Sequence, residues 1–131
     1  MATTIKLTTV KTASVAVKAE QYTVPTESGT GAYEDFCAPI EAADGKSFFI
    51  INNENGSSDV AVSLVAGDYV GGADTDAVTV ATGECAFLFA DSALCKADGM
   101  LWIRLTPSAS AALASCGVKL TAVQFMPVIN Y

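Results

Sequence analysis

The chain has 131 residues and a mass of 13.5 kDa, which suits one domain of ordinary size with its own hydrophobic core. Hydrophobic residues make up 51% of the chain, which argues against disorder, and the net charge of −7 disfavours a nucleic-acid partner because phosphates attract clustered positive charge. Histidine is absent, which removes the commonest general base and the triads that need imidazole. We therefore expect a protein that is not an enzyme and has no cofactor.

The N-terminal residues 1–6 lack the apolar stretch of a secretory signal. The apolar runs elsewhere in the chain are far shorter than a membrane span. We expect a protein that is made in the cytoplasm and has no membrane partner.

Charge is unevenly distributed between the N-terminal segment, residues 1–19, and the remainder, residues 20–131. The segment contains three lysines and no acid, whereas the remainder contains four bases and all 14 acids. Two interpretations stay open. The segment is either a basic arm that adds a strand to a neighbouring sheet edge, or an ordinary first strand whose lysines face water. The candidate interface residues of this segment are Ile5, Lys6, Leu7, Lys11 and Lys18.

Apolar and polar residues alternate with a period of two in six segments, which predicts half-buried β-strands. Residues 47–51 are apolar at both parities, which predicts a central strand that is covered on both faces or lies where one sheet meets a neighbour. The alternating segments are residues 5–7, 15–17, 60–64, 78–80, 101–105 and 118–120.

Turn-forming pairs separate these segments at short intervals, and they predict an all-β fold. The spacing favours an antiparallel β-sandwich, jelly-roll or immunoglobulin-like, at residues 20–131 with an extended N-terminal segment. Two short stretches, residues 91–96 and 108–115, could each form a turn or two of helix. The turn pairs are Asp44-Gly45, Asn55-Gly56, Gly67-Asp68, Gly71-Gly72, Thr82-Gly83 and Asp98-Gly99.

A glycine-rich loop at residues 66–76 carries Asp68, Asp74 and Asp76. Clustered carboxylates on a flexible loop can bind calcium, which prefers oxygen ligands. The loop lacks the D-x-D-x-D-G spacing of a calcium loop, and aspartates that close local turns in water give the same pattern. We predict no metal site, and calcium binding by this loop stays open.

The four cysteines have no C-x-x-C spacing, and sequence does not separate three possible disulfide pairings from four free thiols. They are Cys37, Cys85, Cys95 and Cys116. Cys85 alternates with Phe87 and Phe89, so the three residues share one strand face. We expect Cys85 to be a small buried hydrophobe, as free cysteines usually are.

Trp102 lies with Arg104 on the strand face opposite Leu101, Ile103 and Leu105. A tryptophan beside an arginine suits a protein interface, a covered core position or a sugar platform. We include Trp102 and Arg104 among the candidate interface residues.

From residue 46 to residue 126 the order of features resembles small β-sandwich capsid-decoration proteins of tailed bacteriophages. The resemblance begins at Phe49-Ile50-Ile51-Asn52-Asn53 and continues through residues 60–64 and the Ala66-Gly67-Asp68 loop. Residues 78–84 then lead directly into Phe87-Leu88-Phe89. The later features are Asp91-Ser92, Asp98-Gly99, Thr106-Pro107-Ser108 and the last strand at Val118-Lys119-Leu120.

The resemblance implies a virion structural protein on the outer capsid surface that bridges neighbouring capsomers and binds the major capsid protein, commonly as a homotrimer. It implies no catalytic residue. Phage neck or tail structural proteins share such sandwiches, and so do carbohydrate-binding or adhesive surface modules, which are the alternatives.

Overall fold

The computed structural model describes residues 3–11, 16–19, 21–23, 31–39, 47–54, 56–65, 77–89, 96–97, 99–108, 111 and 116–125. Within these ranges the chain is all-β, and the predicted antiparallel β-sandwich is confirmed. The described part contains no helix long and apolar enough to cross a membrane. The strands are β1 (Thr3–Thr4), β2 (Leu7–Val10), β3 (Tyr22–Thr23), β4 (Glu34–Pro39), β5 (Ser47–Asn52), β6 (Val60–Leu64), β7 (Val78–Val80), β8 (Cys85–Phe89), β9 (Lys96–Ala97), β10 (Met100–Pro107) and β11 (Lys119–Phe125).

The described strands form two sheets. Sheet 1 has the order β1-β4-β10-β6-β7, with β9 also paired to β10. Sheet 2 has the order β2-β11-β5-β8, with β3 also paired to β11. The β1–β4 and β2–β11 pairs are parallel, and the other pairs among described strands are antiparallel.

The core lies between the two sheets and follows the alternation of the sequence. Leu101, Ile103 and Leu105 of β10 point inward from sheet 1 and are buried. Phe49 and Ile51 of β5 belong to the same hydrophobic cluster from the side of sheet 2. β5 lies between β11 and β8, so the predicted central position of residues 47–51 is confirmed, but the two faces are not covered alike: Phe49 and Ile51 are buried, whereas Phe48 and Ile50 are only half-buried.

The N-terminal segment contributes a strand to each sheet. β1 pairs with β4 of sheet 1, and β2 pairs with β11 of sheet 2. Between them, the Ile5 N–H donates to the Cys37 carbonyl at 2.8 Å, and the Ile5 side chain is buried in the core. Residues 3–10 therefore lie against the sheets of their own chain, while Lys11 and residues 16–19 are exposed and outside any strand.

Of the two predicted helical stretches, residues 91–95, 109–110 and 112–115 lie outside the described residues. Lys96 belongs to β9, and the Ala111 N–H donates to the Ser108 carbonyl at 3.0 Å. The connection from β9 to β10 contains Gly99 at φ +73°, a left-handed conformation that suits the glycine of the predicted turn.

Asn53 joins two connections, β5–β6 and β7–β8, at one end of the sandwich. Its side-chain Nδ2 donates to the carbonyls of Ser58 and Val80 at 2.9 and 3.0 Å, and its own carbonyl accepts from the N–H groups of Gly56 and Gly83. The side chain is fully buried. A Cβ at Gly56 would lie only 1.7 Å from Asn53 Oδ1, so this close approach requires glycine.

We expect Asn53→Ala to lower the free energy of unfolding by about 1–3 kcal/mol, because two buried hydrogen bonds lose their donor. The measurement is urea denaturation followed by circular dichroism. Glu54→Ala, at the exposed neighbouring position, is the matched control and should change stability by less than about 0.5 kcal/mol. Equal unfolding midpoints for Asn53→Ala and the unmodified protein would contradict the role given to Asn53.

Candidate protein-binding surfaces

The described residues contain no group of three or more side chains suited to holding a metal ion. The loop with Asp68, Asp74 and Asp76 lies outside the described residues. Three surfaces of the described residues expose apolar or charged side chains.

The first surface is the aromatic edge, which we define as Phe48, Val78, Phe87 and Phe89. The Phe87 and Phe89 side chains are 66% and 69% exposed, although they belong to a regular strand. Both rings lie against Phe48 of the neighbouring β5, with centroid distances of 5.9 and 5.6 Å. Such tilted aromatic pairs hold the rings in place, so the apolar surface is presented in a fixed arrangement.

Phe87 and Phe89 project from the outer face of sheet 2 at its last strand, and Val78 belongs to the last strand of sheet 1. β7 is the last strand of sheet 1 and β8 the last strand of sheet 2, and no described strand pairs with the outer side of either. Val78 of β7 is 63% exposed, and an apolar cleft of about 80 Å³ lies between Val78, Leu88 and the core residue Val62. Natural sheet edges usually carry charges, proline or a bulge that block pairing, whereas β8 carries no charged residue and no proline.

The prediction that Cys85 is a small buried hydrophobe is wrong, because the residue is exposed. The alternation shows that Cys85, Phe87 and Phe89 share a face, and that part is confirmed. The choice of face was wrong: Ala86 and Leu88 pack against the core, so the other three side chains point outward.

The second surface is the arginine cluster on the outer face of sheet 1, formed by Tyr33, Asp35 and Arg104. Arg104 donates from Nε to Asp35 Oδ1 at 2.7 Å and from Nη2 to Oδ2 at 3.1 Å. The same guanidinium lies 3.9 Å from the centre of the Tyr33 ring, which is 54% exposed. The bidentate pair thus fixes the arginine, and the arginine in turn supports the tyrosine ring.

The strand pairing explains how this cluster forms. Asp35 of β4 lies directly opposite Arg104 of β10 in the register of the two strands. Trp102 is on the same face of β10 and is half-buried. Sequence reasoning found Trp102 and Arg104 but missed Tyr33 and Asp35, because nothing local to residues 33–35 indicates that β4 pairs with β10.

The third surface is the N-terminal groove, an open depression of about 630 Å³ beside β1 and β2. Its lining includes Val17, Pro39, Lys6 and Lys18, together with Ile5, which is only 2% exposed. Threonines 4, 8 and 9 also line it. The structure therefore brings together the predicted interface residues Ile5, Lys6 and Lys18.

The other predicted residues of the segment lie near this groove without lining it. Lys11 follows directly after β2 and is exposed. Leu7 is the first residue of β2 and pairs with Ala122 of β11. Its side chain is not among those that the structure describes.

Comparison with known protein families, with curated protein sequences and with solved structures finds no match for this chain.

The described cysteines differ in accessibility. Cys116 is buried, and burial raises the pKa of its thiol above the ordinary value, although a side-chain hydrogen bond from Ser58 opposes the effect. A raised pKa keeps the thiol protonated and unreactive at neutral pH. Cys116 thus lacks the thiolate character of a nucleophile.

We expect a maleimide at pH 7 to label Cys85 at least about tenfold faster than Cys116 in the folded protein, because only the exposed thiol is accessible. Mass spectrometry of the separate peptides measures each rate. The control is the same reaction in denaturant, where the two rates should converge. Equal labelling of both cysteines in the folded state would show that the assigned faces are wrong.

Proposed function

We propose that this chain is a non-enzymatic virion structural protein that decorates the outer surface of a phage capsid and bridges neighbouring capsomers by binding the major capsid protein. The observation that carries the proposal is the exposure of three aromatic rings, Tyr33, Phe87 and Phe89, held by contacts with neighbouring side chains. Large aromatic side chains on rigid elements supply binding energy with little loss of conformational entropy.

The arginine cluster is the surface we assign to the capsid. Tyrosine, tryptophan and arginine are the residues most often found at the energetic centre of protein interfaces, and Tyr33, Trp102 and Arg104 all belong to this part of sheet 1. Because Asp35 already neutralises Arg104, docking a partner here does not bury an uncompensated charge.

The overall charge supports a position outside the capsid. A chain with 14 acids and 7 bases is repelled by packaged DNA, whereas an outer protein surface imposes no such penalty. The net negative charge therefore favours protein over nucleic acid as the partner.

Strand order also supports a viral structural role, and we infer a jelly-roll topology in preference to an immunoglobulin-like one. From β3 onward the chain builds two four-stranded antiparallel sets, β3-β11-β5-β8 and β4-β10-β6-β7. Each of these strands lies in the opposite sheet from the strand that precedes it in the chain, with two exceptions. β7 follows β6 within sheet 1, and β10 follows the short β9 within sheet 1. Eight strands in two facing sheets are the jelly-roll architecture, which occurs in viral capsid proteins and also in lectins.

A carbohydrate-binding module is the main alternative, and the arginine cluster argues against it. Sugar-binding surfaces commonly present more than one open ring, whereas among the described residues of this part of sheet 1 Tyr33 is exposed but Trp102 is half-buried.

We expect the protein to bind empty capsids of its own phage saturably in a co-sedimentation assay, and Tyr33→Ala to weaken that binding by about tenfold or more, as loss of an interface hot spot does. Thr79→Ala is the control, because Thr79 is an exposed residue on β7, three strands from β4 in sheet 1. It should bind as the unmodified protein does.

Two results would contradict the proposal. One is the absence of saturable capsid binding, and the other is equal binding by Tyr33→Ala. Glycan binding that is lost on Trp102→Ala would favour the carbohydrate-binding alternative instead.

A further inference from the structure

Val78 is a side chain on the inner face of sheet 1 that remains largely exposed. It lies directly opposite Val62 of β6, so the two side chains share the face that is turned to the core. Val62 is 5% exposed, whereas Val78 is 63% exposed. Leu88, which packs against the core from β8, is only half-buried. The sandwich is therefore open on the side where its last strands, β7 and β8, face each other.

The opening between β7 and β8 is a cleft of about 80 Å³. Sites for free small molecules are several times larger, at about 300–1,000 Å³. An apolar cavity of about 150 Å³ holds one benzene molecule, so about half that volume suits a single branched aliphatic side chain. The cleft thus fits a side chain that another polypeptide inserts. Its aliphatic lining includes Ile51, Val62, Val78, Val80 and Leu88.

The free side of β8 offers backbone groups to such a polypeptide. The Asn53 N–H donates to the Glu84 carbonyl at 2.9 Å, which identifies these two residues as a hydrogen-bonded pair. Hydrogen-bonded and non-hydrogen-bonded pairs alternate along an antiparallel ladder, so the second and fourth residues of β8 bond to β5. Phe87 and the residues two positions before and after it direct their N–H and C=O groups to the other side, where no described strand pairs with them.

We propose that an extended segment of the major capsid protein adds to the free side of β8 as a further strand of sheet 2 and inserts one aliphatic side chain into the cleft beside Val78. Successive side chains of a strand point to opposite faces, so the neighbours of the inserted residue lie beside the exposed rings of Phe87 and Phe89. β-Branched or aromatic residues are favoured there, because they pair well with aromatic rings across strands. The segment runs antiparallel to β8, since antiparallel pairing is the more stable per residue.

Charge near the start of β8 defines a further property of the partner. Glu84 directly precedes β8, and its carboxylate accepts from the Ala81 N–H at 2.8 Å. Asp59 accepts from the Thr82 N–H in the same turn at 3.1 Å, so two exposed carboxylates lie at this end of the strand. Lys119, at the same end of sheet 2, is two strands away on β11. An antiparallel segment therefore carries a basic residue at its C-terminal end, where it meets the two acids.

The inference rests on the proposed function and deepens it, because a protein that bridges capsomers needs two separate binding surfaces. The arginine cluster lies on the outer face of sheet 1, whereas the added strand extends sheet 2 beyond β8. Holding two capsid subunits through both surfaces strengthens attachment by avidity. The two proposals fail separately, because strand addition is measured with a peptide and without capsids.

The probe is a fluorescein-labelled synthetic peptide of about nine residues, the length of a long strand, in which valine and threonine alternate and two lysines end the chain. We expect it to bind the full chain saturably in fluorescence anisotropy, with a Kd below about 1 mM. A peptide with glutamates in place of the lysines should bind about tenfold more weakly, because it brings like charges together. Absence of binding up to about 1 mM, or equal binding of the two peptides, overturns the proposal.

Phe87→Pro tests the backbone pairing. Proline removes the N–H that the added strand needs, and edge strands tolerate proline where the N–H faces away from the sheet. Phe87→Ala is the matched control, since it removes the same ring and keeps the N–H. We expect Phe87→Pro to bind the lysine peptide about fivefold more weakly than Phe87→Ala does, as loss of a hydrogen bond predicts. Circular dichroism and urea denaturation verify that both variants fold, and equal binding by the two folded variants overturns strand addition.

Val78→Phe tests the cleft, and it does not depend on whether β8 accepts proline. The larger ring occupies the cleft, so peptide binding should weaken by about tenfold or more for lack of space. Thr79→Phe is the matched control, because it adds a ring at the next position of β7, whose exposed side chain points to the opposite face. Undiminished binding by Val78→Phe, or equal losses in the two variants, overturns the cleft as the docking position.

Hydrogen exchange measured by mass spectrometry tests the capsid protein as the occupant. The amides of residues 85–89 should exchange at least about tenfold more slowly in capsid-bound protein than in free protein, because the added strand protects them. Residues 60–64 are the internal control, since β6 is already paired on both sides, and their rates should stay the same. Unchanged rates at residues 85–89 in bound protein overturn the capsid protein as the occupant. Failure to bind capsids at all overturns the proposed function, on which the peptide measurement does not depend.

Discussion

The packing of β10 against β5 and β11 is the contact on which the rest of the structure depends. Leu101, Ile103 and Leu105 are buried in one cluster with Phe49 and Leu120 from the opposite sheet. Side chains in a strand alternate between its two faces. Because the side chains of these three β10 residues are buried on the inner face, Trp102 and Arg104 lie on the outer face. A slip of one residue in β10 would exchange the two sets, so the core also positions the candidate capsid-binding surface.

The outer faces show how side chains in regular strands can form rigid binding surfaces. On sheet 1, the strand register places Asp35 opposite Arg104, and the resulting pair supports Tyr33. On sheet 2, the antiparallel pairing of β5 with β8 brings Phe48 against Phe87 and Phe89. In both places the exposed ring is held by a neighbour, which lowers the entropic cost of binding a partner.

The two ends of the sheets differ in the side chains that cover them. The N-terminal segment covers one end, where Ile5 fills a core position and lysines follow along the surface. The other end is apolar and lacks the charges that usually protect a sheet edge from pairing. Unless a partner covers it, an exposed apolar surface of this kind favours aggregation.

The sequence by itself determined the all-β class, the central position of β5 and the grouping of residues by face, because these depend on a local period of two. It grouped Cys85 with Phe87 and Phe89 correctly, yet it could not determine that this group faces outward. That choice depends on whether Ala86 and Leu88 or their neighbours fit the core, which is decided by packing against distant strands. The partnership of Arg104 with Asp35, 69 residues apart, likewise required the tertiary structure, because strand register is a long-range property that no local pattern encodes.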